Sequence, residues 1–255
     1  MAPESITDRV VYFYGVSQSR PGNSIQQPGV DFESKIEPIE CEGLTCWVSL
    51  VSAVAFEKDL ARNMENLDWL ATSSVAHQRA ISAIASEAQI LPARFGTVFR
   101  SQASLRKHVR AQVRDIAGDF KRIKGADEWG VKVFVRKAAA PPTLPVRSGR
   151  DYLTAKAALL PRKSSQSDSA GEFAEFERAL RQVALESAAA GNVSAGQRGL
   201  RFQTSLLVKR KDRKKLESIL KKFSQRWASA RQIECSGPWP PYSFVSRPGR
   251  QGEQE

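Results

Sequence analysis

Residues 91–99, Leu91-Pro92-Ala93-Arg94-Phe95-Gly96-Thr97-Val98-Phe99, lie between two helical periodicities and can continue neither of them. Proline has no amide donor and its ring collides with the carbonyl one turn back, so Pro92 ends any helix that reaches it. Phe95, Val98 and Phe99 suit a pleated, extended segment, which makes this block a strand. Upstream, Leu67, Leu70, Ala71, Ser74, Ile81, Ile84, Ala85 and Ala88 fall on one face of a helix expected from Asn66 to Ala88. Downstream, Leu105, Val109, Val113, Ile116, Ala117 and Phe120 keep the same spacing, with Ser101 or Ser104 able to cap and Gly125 placed to stop the helix.

Strands frame this core. Val10 to Val16 is a β-branched and aromatic run ended by the Pro- and Gly-bearing stretch from Ser17 to Gly29, and Leu44 to Ala53 is a second apolar run. From Trp129 to Val135 apolar residues alternate with Gly130, Lys132 and Phe134, the pattern of a half-buried strand. The first domain therefore reads ββαβαβ, an α+β layer of long helices on a mainly antiparallel sheet, and a ferredoxin-like arrangement is expected for it.

Residues 138–148 combine alanines with three prolines and read as a stiff linker. The expected organisation is a ferredoxin-like domain over 1–137, that linker, a basic α+β domain over 149–247 and a tail over 248–255. In the second domain Phe173, Phe176, Leu180, Val183 and Ser187 share a helical face, and Gly191 is placed to end that helix. Leu200 to Val208 alternates as a strand. Asp212 is placed to cap a helix burying Leu216, Ile219, Leu220, Phe223 and Trp227, and a last strand runs from Arg231 to Cys235.

Composition narrows the function classes. The chain has 255 residues, 41% hydrophobic, enough apolar material for two cores. Its start lacks the basic and apolar regions of a secretory signal, and its apolar runs fall short of the ~20 residues a membrane helix needs, so no membrane association is expected. Three cysteines, an odd number, fit a reducing cytoplasm, and Cys41 and Cys46 have no histidine at metal-ligand spacing. No metal, cofactor or catalytic residue is expected: the chain has neither a GxxxxGK[ST] nor a GxGxxG phosphate cradle, and no nucleophile can be tied to His77. It reads as a non-enzyme.

The net charge of +12 is uneven, with 18 Lys/Arg against 16 Asp/Glu in residues 1–140 and 21 against 11 in 141–255. Such a field favours acidic partners without dictating a fold. The densest cluster includes Lys214, Lys215, Lys221 and Lys222, on the outer side of the expected helix, where they form either a partner surface or a solvated face. Arg94 and Phe95 are a candidate interface anchor, set against the plainer reading of Phe95 as core and Arg94 as its solvated flank. Trp239 and Tyr242, in the string Gly237-Pro238-Trp239-Pro240-Pro241-Tyr242-Ser243-Phe244-Val245, either bind a partner or seal the seam between the domains.

Six strings in order carry a resemblance to one family: Val11 to Val16, Leu67 to Leu70 with His77, Leu91 to Phe99, Glu128 to Val133, Gly149 to Leu153, and Gly237 to Val245. The chain resembles the gas vesicle F/L proteins. The resemblance implies a cytoplasmic accessory or minor structural factor of gas vesicle assembly, the gas-filled shells that give microbes buoyancy. The implied partners are the small, very hydrophobic main shell protein and other gas vesicle proteins, with aggregation of the shell protein limited during nucleation. The alternative is an RNA-binding ferredoxin-like module. It is weakly supported because Phe13 and Tyr14 alternate across the pleat and no RNP string is present, so no nucleic acid is expected as a partner.

Overall fold

The structure is a computed structural model and describes residues 8–19, 24–136, 165–189 and 197–246. Its strands are β1 (Arg9–Ser17), β2 (Glu37–Cys41), β3 (Leu44–Ser52), β4 (Ile90–Pro92), β5 (Val98–Phe99), β6 (Ala126–Val135), β7 (Ala184–Ala189), β8 (Leu200–Lys209) and β9 (Arg231–Trp239). The α-helices are α1 (Leu60–Glu65), α2 (Leu67–Glu87), α3 (Gln102–Ile123), α4 (Ser165–Val183) and α5 (Arg213–Trp227), with a π-helical turn at Val54–Lys58. The result is the mixed α+β class expected, with two sheets and long helices.

The first sheet has the order β2-β3-β1-β4, with β5 also pairing with β1. The pairs β1–β3, β1–β4, β1–β5 and β2–β3 are all antiparallel. Central β1 is buried along almost its whole length, so both sheet faces are covered. On one face Val10, Tyr12, Tyr14, Trp47 and Val51 pack with Ala80, Ile81 and Ile84 of α2. On the other, the Phe13 ring meets Phe99 edge-on at 5.8 Å and Phe99 meets His108 of α3 at 5.1 Å.

Local chemistry sets the ends of both helices. The Asn66 side chain accepts from the amides of Asp68 and Trp69 and starts α2. Ser101 and Ser104 form a reciprocal capping box that starts α3, and Gly125, at φ 68°, turns the chain after it.

The second sheet has the order β7-β8-β6-β9. Its core joins Trp129, Val131 and Val133 to Phe176, Leu180, Leu206, Val208, Leu216, Phe223 and Trp227. Three sequence expectations change here. The strand counted fourth in a first-domain ββαβαβ sheet is β6, and it lies inside this second sheet. Ser187, expected on a helix, sits in β7, which pairs antiparallel with β8. Asp212 holds the N-cap position of α5 without a capping side-chain bond, because its carboxylate pairs with Lys215 at 2.7 Å.

The chain forms two compact units, residues 1–128 with 238–255, and residues 129–237. This division falls within β6 and β9, unlike the expected 1–137 and 149–247. The Pro-rich residues 138–148, the tail 248–255, Gly149 to Leu153 and Gly191 lie outside the described residues.

Candidate functional site

The 91–99 block enters the N-terminal unit as β4, a turn and β5. The Ala93 amide donates to the Tyr14 carbonyl at 2.8 Å, and the Phe13 amide donates to the Thr97 carbonyl at 2.9 Å, so the turn is tied to β1 at both ends. Between them Thr97 closes a four-residue turn by donating its amide to the Arg94 carbonyl at 3.2 Å. Gly96 takes the third position at φ 78°, a conformation glycine adopts without a Cβ penalty. The turn points Arg94 to solvent and leaves Phe95 half-buried.

Phe95 lies against a cluster of rings. Its centroid is 5.7 Å from His77, 6.0 Å from Trp69 and 6.5 Å from Tyr12. The Tyr12 hydroxyl accepts from the Gly96 amide at 3.0 Å and sits 2.9 Å from His77 Nδ1. A hydroxyl has one proton, so the satisfied arrangement has Tyr12 donate to Nδ1, with the ring proton on Nε2. Nε2 has no hydrogen-bond partner among the described residues, and the Ala93 backbone favours the charged ring against the larger effect of burial.

Burial pushes the His77 pKa down to about 4 from its ordinary 6.5, because an imidazolium in this apolar pocket loses its hydration. Burial likewise raises the pKa of Tyr12 and pushes Tyr14 up to about 12. His77 is thus a neutral member of the core.

A pH dependence follows. The folded pKa is below the unfolded one, so the unfolded chain binds the extra proton and stability falls as pH drops from about 6.5 toward 4. The full effect is on the order of 3 kcal/mol. Urea midpoints of the His77→Gln variant should be flatter than wild type between pH 6.5 and 5, and equal slopes would refute this role.

Tyr242 reaches the same histidine from the closing string. Its ring centroid is 6.5 Å from His77, and its hydroxyl donates to Gln78 Oε1 at 3.1 Å. The rest of the string is clamped by two buried carboxylates. Ser243 donates its amide (2.8 Å) and hydroxyl (2.6 Å) to Glu128. Ser246 donates its amide (2.6 Å) and hydroxyl (2.7 Å) to Asp119. Arg122 pairs with Asp119 at 2.6 Å and donates to the Phe244 carbonyl, and the Phe244 side chain is buried. Sequence reasoning flagged the string but not Asp119, Gln78 or this use of Glu128, whose roles depend on contacts distant along the chain.

The expected site residues therefore separate. Phe95 and Tyr242 converge on His77, with Arg94 exposed at the turn, whereas Trp239 is exposed at the end of β9. Next to the turn, Leu60 of α1 is the side chain facing Gly96, and the following residues Met64, Leu67 and Val75 are exposed apolar groups, Leu67 being 77% accessible. Val54 is exposed in the preceding turn.

In the C-terminal unit Lys214, Lys215, Lys221 and Lys222 all lie on the exposed side of α5. Lys215 pairs with Asp212, Arg213 with Glu217 and Arg226 with Glu175. Lys214 and Lys221 have no ion-pair partner among the described residues, and the Lys222 ammonium lies 5.7 Å from the Phe223 ring centre.

The aromatics of β1 form no base-stacking platform, since Tyr12, Phe13 and Tyr14 are all buried. No set of three metal-ligating side chains gathers among the described residues, and none of their helices is long and apolar enough to cross a membrane.

Comparison with known proteins gives a consistent picture. A family model described as gas vesicle synthesis protein GvpL/GvpF matches residues 10–246. The chain is 30% identical over 260 residues to gas vesicle protein L of Streptomyces sp. (strain CB03234), covering 94% of each. It superposes on the crystal structure of GvpF from Microcystis aeruginosa with a TM-score of 0.65 at 14% identity, over 93% of this chain and 99% of that one. For GvpF from Anabaena sp. PCC7120 the TM-score is 0.63 at 18% identity, over 94% and 97%. At these identities the two structures establish a shared fold.

Proposed function

The chain belongs to the gas vesicle synthesis protein GvpL/GvpF family, and from that footing we propose that it binds the small hydrophobic shell protein of gas vesicles and limits its aggregation while a vesicle nucleates. The observation that carries this reading is the family match across residues 10–246, which spans both compact units. That membership supports a role in gas vesicle formation, and the family is one of vesicle components rather than known enzymes.

Within that role the N-terminal unit carries the residues we assign to the apolar partner. Val54, Met64, Leu67 and Val75 expose aliphatic groups that a partner would desolvate, and Arg94 is exposed on a turn tied to β1 at both ends. Exposed aliphatic side chains and an exposed arginine are residue types on which transient protein interfaces draw. Lys214, Lys221 and Lys222 suit an acidic segment of another gas vesicle protein, whose encounter the surplus positive charge would speed. We assign its working place to the cytoplasm and the forming vesicle.

Coexpression with the shell protein, followed by affinity capture of this chain, tests the reading. Wild type should retain the shell protein, and Leu67→Asp with Arg94→Glu should lose most of it with the circular dichroism spectrum unchanged, because both side chains are exposed. Failure of the wild type to retain it in both soluble and vesicle fractions would refute the proposal.

A further inference from the structure

Residues 240–246 lie on the N-terminal unit as a strap that joins no sheet. Within it the Tyr242 amide donates to the Pro240 carbonyl and the Phe244 amide to the Pro241 carbonyl, both local backbone bonds. What fixes it to its seat is the serine clamps on Glu128 and Asp119, the Arg122 bond to the Phe244 carbonyl, and two aromatic side chains set into the unit. A segment held by side chains at its rim can leave without breaking a strand ladder. Gly237, at φ 131°, precedes it.

We propose that this strap is an autoinhibitory plug, seated in a slot that takes an apolar segment of the shell protein. The proposal rests on the binding reading above and adds where one contact is made and how it is controlled. The strap displays the ligand chemistry of the slot: aromatic side chains at Tyr242 and Phe244, and donors at Ser243 and Ser246. A hydrophobic segment bearing hydroxyl or cationic donors at similar spacing satisfies the same two carboxylates and fills the same apolar space beside His77.

The carboxylates also explain why the slot is kept filled. Asp119 and Glu128 are 3% and 7% exposed, and removal of the strap without a replacement strips each of two short hydrogen bonds. These bonds favour the seated strap over an open slot in which water serves the carboxylates, so the plug yields most readily to a segment that supplies donors of its own. Exchange of one occupant for another lowers the apparent affinity of the partner by the fraction of time the slot is open.

The test is made on the full chain with Ser243 and Ser246 both changed to Ala, which removes the two hydroxyl donors from the strap and leaves the slot unaltered. Amides of residues 242–246 should exchange faster, and the shell protein should bind about tenfold more tightly than to wild type. A free peptide of residues 240–246 should then reverse the gain by competing for the slot. Tyr242→Ala, which withdraws the aromatic side chain but keeps both clamps, is the second variant and should shift binding the same way.

Unchanged or weaker binding by variants whose strap amides exchange faster would overturn the inference while leaving the binding reading standing. Unchanged exchange in both variants would also overturn it, because the clamps would then not be what holds the strap. Absence of binding by wild type and variants alike would remove the underlying reading as well.

Discussion

Replacement of Gly15 by alanine should destabilise the N-terminal unit by about 3–5 kcal/mol. A Cβ at this position would lie 2.2 Å from the Leu91 carbonyl oxygen and 3.0 Å from the Pro92 Cα, both backbone atoms that no side-chain rotation can move away. The residue also has φ 144°, inside the region that L-residues with a side chain avoid. Both penalties arise from one feature. The β1–β3 register runs Phe13 opposite Val48 and then Gly15 opposite Trp47, so Tyr14 is the extra residue of a bulge.

Tyr12 and Tyr14, two residues apart on the strand, share the α2-facing core, where their rings are 5.1 Å apart. Gly15 is also the point where β4 pairs with β1 through Pro92. Alanine would force β4 away and loosen the 94–97 turn behind it. Thermal unfolding should shift down by about 10 °C on the usual scaling for a unit of this size. A shift below about 2 °C would show that the bulge relaxes at little cost.

The second large effect is expected in the other core. Phe176 is fully buried, with ring centroids 4.8 Å from Phe223, 5.1 Å from Trp227 and 5.6 Å from Phe202. With its neighbour Phe173, it joins α4 to both α5 and β8. Truncation to alanine removes this hub and leaves a cavity whose ring-shaped walls collapse poorly, a loss of about 3–5 kcal/mol. Phe176→Leu keeps much of the volume and should recover more than half of it. Hydrogen exchange of β7 and β8 amides reads the result directly, and protection equal to wild type in Phe176→Ala would contradict this account of the core.

The elements whose pattern and caps agree were legible in the sequence. Helices α2, α3 and α5 matched their expected spans closely, because Asn66 and Ser101 mark the starts of α2 and α3 and the apolar stripes are continuous. What failed was what depends on distant pairing. β7 is written Ala-Leu-Glu-Ser-Ala-Ala, a string of good helix formers, and its ladder with β8 overrides that preference. β2, with Pro38 and two glutamates, has the polar make-up of an edge strand and gave no signal of its own.

Alternation identified β6 as a strand but could not say which sheet holds it, because its partners β8 and β9 begin only at Leu200 and Arg231, far along the chain. The same limit applies to the candidate site. Arg94, Phe95 and Tyr242 were visible as unusual residues in unusual strings. That Phe95 and Tyr242 share His77, and that Asp119 and Glu128 hold the closing strap, required the fold.

The central claim, that this gas vesicle family member restrains its shell protein, is tested most directly by light scattering from purified shell protein diluted out of denaturant with rising amounts of this chain. The account predicts that scattering is suppressed in proportion to added chain and that both proteins leave a sizing column together. Scattering that rises at the same rate with and without the chain, with no shared elution, would contradict it.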